Sequence, residues 1–406
     1  MTEKTSRSSG EGAVREAGTV DAPVVLGNEP GSFARGVLAG RHPALIRRVQ
    51  DAFPYGRRQR EALGALLDEI THGVVRPLAP ADHDHEHWAA WGQEHFGRSW
   101  YDAPFLWAES YFYRRLLGAV GYFGTGPWQG VDPFAPFKRA ELRGDAVDGE
   151  LHALDALASV PAEERATALL HASLWGNRAD LGFSITAGKS AVADAAVSAL
   201  VADDSATLWQ LLPAGASGTV AVVADNAGRE LIPDLVLIDH LLAHGHAERV
   251  VLHVKPSPYY VSDAMTADVV DCLRRLVEAP GEAGRIGGRL WKAMAAGSLE
   301  VRTHPFFCAP LPYEEMPEDL RKELADAELT LLKGDLNYRR LVGDRLWHPT
   351  TPFAERTTHF PGPVAALRTL KCDVIVGLEQ ETLDALERSG AAWRTSGTHA
   401  LIQVRP

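Results

Sequence analysis

Asp225, Asn226 and Glu230 surround a single glycine, Gly228, and Asp263 follows the next strand-like run. Carboxylates and an amide oxygen gathered at one point are hard oxygen ligands, suited to a divalent cation such as Mg²⁺ or Mn²⁺. Each residue taken singly also suits the cap of a following helix. Asp225 and Asn226 are adjacent, however, and only one of them can occupy a cap. A second polar set lies in Gly334–Arg340, GDLNYRR. Arg339 offers a fork of donors matched to phosphate oxygens, and in a turn Asn337 and Arg339 can aim at one small anion. The alternative is a helix start capped by Asp335, with Arg339 on its solvated face. Lys371, just ahead of an apolar run, adds a compact positive charge.

Thr219–Ala224 is an apolar, β-branched run, Leu231–Leu242 repeats apolar residues at helical spacing, and Arg249–Lys255 is a second strand. Such a βαβ unit brings the ends of both strands to one edge of a parallel sheet, where open α/β folds carry their ligands. Leu299–Arg302, Glu328–Lys333, Cys372–Leu378 and Leu401–Val404 are further strand candidates. They predict a three-layer α/β/α, Rossmann-like domain with a mixed, mostly parallel sheet. In an all-parallel sheet Lys371 would begin its strand at the wrong edge. Strand Cys372–Leu378 is therefore expected to run antiparallel to Thr219–Ala224. Gly284–Leu290, GRIGGRL, follows a helix and lacks the lysine-serine ending of a P-loop, so it reads as a flexible turn.

Upstream the helical period dominates, in Ala44–Ala52, Gln59–His72, His87–Phe96, Pro104–Val120 and Pro161–Leu174. The expected organisation is a disordered tail over 1–25 without a signal peptide, a helical domain over 26–190 and a catalytic α/β domain over 191–406. In DHDHEH, His83, His85 and His87 alternate as a transition-metal site could, yet they open a Trp-rich helix and read better as a solvated start. Arg114 and Arg115 sit in an aromatic stripe that core packing explains. Asn177, Arg178 and Asp180 read as a structural turn.

The chain has 406 residues, 46% of them hydrophobic, and a formal net charge of −12 with no basic block. That excludes the electrostatic footprint of a nucleic-acid binder. Cys272, Cys308 and Cys372 are far apart and suit a reducing compartment, and no apolar run approaches a membrane span. A cytoplasmic, monomeric enzyme acting on a small molecule is expected, with no nucleic-acid or membrane partner.

ADNAGRE, VLHVKP with Ser262-Asp263, KGDLNYRRL and Arg368-Thr369-x-Lys371 occur in that order. Together they resemble the metal-dependent damage-control phosphatase family, in its third subfamily, also called acidic-residue methyltransferase. The resemblance implies a divalent metal, Mn²⁺ first with Mg²⁺, Co²⁺ or Ni²⁺ as alternatives, on Asp225, Asn226 and Asp263. It implies a substrate pocket lined by those residues with Glu230, Asp335, Leu336, Asn337, Tyr338, Arg339 and Lys371, and hydrolysis of sugar phosphates or related metabolites. Arg339 and Lys371 would neutralise charge on the transferred group, and Asp335 is the candidate for moving the proton. The rival from another reaction class is S-adenosylmethionine-dependent methylation of protein carboxylates. A nucleotide site of that kind prefers a glycine-rich first turn, and here only Gly228 is present. A third reading is a metal-stabilised binding module without turnover.

Overall fold

The computed structural model describes residues 22–176 and 199–406. Most of the expected tail, and the turn with Asn177, Arg178 and Asp180, lie outside the described residues. The helical pattern upstream becomes α1 (His42–Ala52), α2 (Arg57–His72), α3 (His85–Gly92) and α4 (Phe105–Val120). Their apolar faces, with Trp88, Trp107, Tyr111 and Phe112 among them, close on a core of their own. The next long helix, α5 (Ala162–Trp175), faces the other way: Leu169, Leu170 and Leu174 share an apolar core with the sheet. The boundary expected at residue 190 falls outside the described residues.

The sheet is built from β1 (Leu200–Asp203), β2 (Thr219–Val223), β3 (Arg249–Val254), β4 (Leu299–Thr303), β5 (Leu329–Lys333), β6 (Val364–Thr369) and β7 (Ala400–Arg405). Their order is β1-β7-β6-β5-β2-β3-β4. From β6 to β4 every neighbour is parallel, whereas β7 runs antiparallel to β6 and β1 follows β7. The expected mixed, mostly parallel sheet is thus present. Val220, Val222, Leu329 and Leu331 point into the core shared with α5, α6 (Leu231–Ala243), α7 (Thr266–Val277) and α8 (Gly281–Ala296). Ala221, Val223 and Leu332 point into the opposite core, against α9 (Gly334–Val342). Side chains alternate along a strand, so a strand covered on both faces reads as an unbroken apolar run.

Three expectations are corrected. Cys372–Leu378 is buried but is not a strand; the strand is Val364–Thr369, which the sequence reading passed over, and it is parallel to β5 and hence to β2. The buried backbone of 372–378 is satisfied by other groups. Arg368 donates to the carbonyls of Val374 at 2.5 Å and Cys372 at 3.2 Å, Gln403 donates to that of Val376 at 2.8 Å, and the Gly377 and Leu378 N–H groups reach Thr351 and Pro349. GRIGGRL is not a turn but the middle of α8, where a Cβ on Gly287 would collide with the backbone of Val277 in α7; the glycine is there for close helix packing. GDLNYRR is the helix α9, with Lys333 rather than Asp335 at its N-cap.

From β2 the chain moves outward to β3 and β4, then returns across β2 to lay down β5 and β6 on its other side. The point between β2 and β5 is a topological switch, where the connections leave in opposite directions and open a crevice at the carboxyl ends of the strands.

Candidate active site

Asp225 lies in the turn after β2, in that crevice. The end of β2 is held by Asn337 of α9, whose amide donates to the Ala224 carbonyl at 3.3 Å, and the turn is held by Ala264, whose N–H donates to the Asp225 carbonyl at 3.0 Å. Asn226 and Asp263 face each other in an isolated antiparallel bridge. The expected oxygen-bearing residues are therefore brought together by two loops at one sheet edge. The Asn226 amide nitrogen donates to Asp225 at 3.1 Å and to Glu230 at 2.8 Å, while its oxygen accepts from Ser262 at 2.6 Å. Gly334, first residue of α9, has φ 85°, and a Cβ there would run into the Asp225 carboxylate. The glycine lets that carboxylate sit against the amino end of a helix, a favourable field for an anion.

That field is opposed by the rest of the site. Burial first, and then the Glu230 and Asp263 carboxylates, push the Asp225 pKa well above the carboxylate range, with Lys371 and Lys255 pulling the other way. Neighbouring acids thus crowd the buried Asp225 carboxylate more than the two lysines relieve it. Buried oxygen donors gathered in this way fit a divalent cation. Among the described residues no three His, Cys, Asp or Glu side chains already converge as an ion cage.

A small cavity is lined by Asp225, Asn226, Glu230, Lys371, Thr369 and Lys333. Lys371 thus reaches the expected edge, though by a route other than the expected one. Parallel β6 ends at Thr369, at the carboxyl edge, and Lys371 follows it there. Its backbone N–H donates to Asp335 at 3.4 Å, and Asp335 in turn accepts from Arg368 at 2.8 Å. Burial works against the Asp335 anion, but Arg368, then Arg339 and Lys371, hold its pKa below the ordinary value. An acid so stabilised is a poor proton donor.

The rest of GDLNYRR does not reach the cavity. Leu336 packs with Leu106 and Tyr259, and Asn337 is spent on backbone carbonyls and the Tyr313 hydroxyl. The Tyr338 hydroxyl donates to Gln403 at 3.0 Å. Arg339, expected to grip phosphate, is bidentate to Asp344 at 2.7 and 2.9 Å and bonded to Glu109 at 3.0 Å. Of α9, only Gly334 lines the cavity. In the helical half, Arg114 is held by Asp84 at 2.6 Å and Asp82 at 3.3 Å, and Arg115 by Glu69 at 2.9 Å. DHDHEH thus anchors an arginine at the start of α3.

A model of the damage-control phosphatase ARMT1-like domain matches residues 37–386. The chain belongs to this family. Damage-control phosphatase ARMT1 of Xenopus laevis is 34% identical, covering 92% of this chain and 96% of its own. The mouse protein of that name is 31% identical over 94% and 98% of the two chains, and the zebrafish protein 30% over 92% and 94%. Among solved structures, a DUF89 family protein from Pyrococcus horikoshii aligns with a TM-score of 0.43 at 15% identity, covering 86% of this chain and 94% of its own. Membership of the ARMT1-like family supports a phosphatase role on metabolites, hence a hydrolase acting on a small molecule. Among the described residues no helix is long and apolar enough to cross a membrane.

The sequence reading assigned no role to three residues that this family member places in the cavity wall: Ser173, Asp234 and Lys333. Two left a signal. Asp234 is an acid inside LIPDLVLIDHLL, a helix otherwise apolar on nearly every side, and Lys333 ends an apolar strand. A charge set in a buried run needs a partner or a task.

Proposed function

We propose that this chain is a metal-dependent phosphatase that hydrolyses phosphate monoesters of sugars or related small metabolites, in the reducing cytoplasm that its three free cysteines suit. The observation that carries the reading is the buried carboxylate cluster at the switch point, with a lysine in the wall of the same cavity. Asp225, Asn226 and Asp263 would hold the ion, Mn²⁺ before Mg²⁺, Co²⁺ or Ni²⁺. Bound there, a divalent cation supplies Lewis acidity toward a phosphoryl oxygen and a water of lowered pKa. Lys371 offers its ammonium to the phosphate and offsets the negative charge that gathers on the transferred group. Glu230, bonded to Asn226, orients the amide and borders the substrate. Asp335 and Arg368 hold the backbone from which Lys371 projects, and Asn337 and Leu336 fix the strand end and helix that frame the site.

The test is a phosphate-release screen over sugar phosphates with each of these metals, with and without chelator. Metal-dependent release abolished by chelator supports the reading. Transfer of a methyl group from S-adenosylmethionine to protein carboxylates, faster than phosphate release, would reverse it in favour of the methyltransferase.

A further inference from the structure

The cavity holding Asp225 and Lys371 has a volume of only about 20 Å³. That is room for a single water, whereas pockets for small-molecule ligands run to roughly 300 Å³ and upward. Resting on the phosphatase reading, a sugar phosphate therefore requires one wall to move. The wall with a removable fastening is the end of α5. Lys333, buried at the carboxyl end of β5, donates to the Ser173 hydroxyl at 2.6 Å and to the Ser173 backbone carbonyl. It also pairs with Asp234 of α6 at 3.0 Å, and the Ser173 hydroxyl donates to Asp234 at 2.6 Å. Three elements are joined by one closed triangle of charge-assisted bonds. The serine carbonyl lies in the last turn of α5, where carbonyls lack a helical partner and a cation is favoured.

We propose that Ser173, Lys333 and Asp234 form a latch that holds the end of α5 over the site, and that an incoming phosphate takes the place of Ser173 as partner of Lys333. Lys333 then becomes the second cation of the site beside Lys371, contributed by a different strand. Exchange of a neutral hydroxyl and carbonyl for an anion is favourable to a buried ammonium, so the latch releases to a phosphate ester and not to a neutral sugar. Asp234 stays paired with Lys333 in both states.

The latch and the cation predict opposite signs from two substitutions. Ser173→Ala removes one fastening and keeps the cation, so KM for the best phosphate ester should fall roughly two- to fivefold, as the open state becomes more populated. Lys333→Met removes the cation, so KM should rise about tenfold or more, the worth of one charge-assisted bond. A merely structural triangle would weaken stability in both variants and move KM in neither, or in both alike; that outcome overturns the proposal. Hydrogen exchange on the full chain reads the latch without any activity. Exchange at the Leu174 and Trp175 amides should quicken in Ser173→Ala, and unchanged exchange there refutes the latch. Wild-type protein that releases phosphate from no ester would sink the phosphatase reading, and the exchange experiment would then decide the latch by itself.

Discussion

At Arg339, Asp344 accepts two bonds and Glu109 a third, and the Phe105 ring lies 4.6 Å beneath the guanidinium. At Asp225 the balance runs the other way. Burial and two neighbouring carboxylates work against its ionisation, and an amide nitrogen stands between it and Glu230. Both clusters are buried, both lie on or beside α9, and both were expected to serve one substrate. The difference is completeness. A buried charge whose hydrogen-bonding valence is filled by the protein holds the fold, and one crowded by like charges marks a candidate functional site.

Breaking the Asp225 cluster should produce the largest effect. Asp225→Ala or Asp263→Ala should lower metal-dependent phosphate release by about a thousandfold or more, since the ion supplies several kcal/mol of transition-state stabilisation. The purified variants should lose stoichiometric metal, measured by elemental analysis, and metal-free Asp225→Ala should melt no lower than metal-free wild type, because a repulsion has been removed. Unchanged metal content in both variants would end the assignment. Lys371→Ala should follow, cutting turnover by roughly a hundred- to a thousandfold, with metal content and folding intact. Lys371→Arg should restore only part of it, because a planar fork is no replacement for a compact ammonium.

Arg339 tests the other side of the comparison. Arg339→Met leaves Asp344 and Glu109 buried without their cation and should cost about 3–5 kcal/mol in urea unfolding, while kcat per folded molecule stays near wild type. Lost turnover at full stability would move Arg339 back among the substrate-binding residues. The last test concerns a buried group with no ion pair to complete, and its effect appears only in acid. His42, stacked on Phe112 with ring centroids 3.7 Å apart, has its pKa lowered from 6.5 to about 3, chiefly by burial and then by Arg41. The unfolded chain binds that proton more readily, so the contribution to stability is full above pH 6.5 and is lost as pH falls toward 3. His42→Phe should flatten the acid limb of the stability profile over that window. An unaltered slope would show that His42 does not titrate with unfolding.

Much of the candidate site was legible from residues that are close in the chain. Asp225, Asn226 and Glu230 occupy one turn between a strand and a helix, and the pattern of apolar residues announced both elements. Asp263 follows the second strand of the same βαβ unit, whose handedness and parallel pairing are nearly obligatory. Lys371 lines the cavity, but it arrives there after strand Val364–Thr369 and not ahead of strand Cys372–Leu378. CDVIVGL is as apolar as any strand, and only Arg368, Gln403 and the backbone of 349–351 show where its hydrogen bonds go. Arg339 was misplaced because a motif of seven residues can point as a turn or wind as a helix, and the two aim its sixth residue in different directions.

The sequence by itself determined the βαβ unit, the two-sided burial of its strands and the kind of chemistry available at their ends, because periodicity and residue type are local properties. Only the tertiary structure decided which charges are answered and which are crowded by like charges. Glu109 lies 230 residues from Arg339, and Lys333 meets a serine 160 residues upstream. Partners at such separations are set by how whole helices pack on the sheet, and the field at a buried group depends on every charge that packing brings near it.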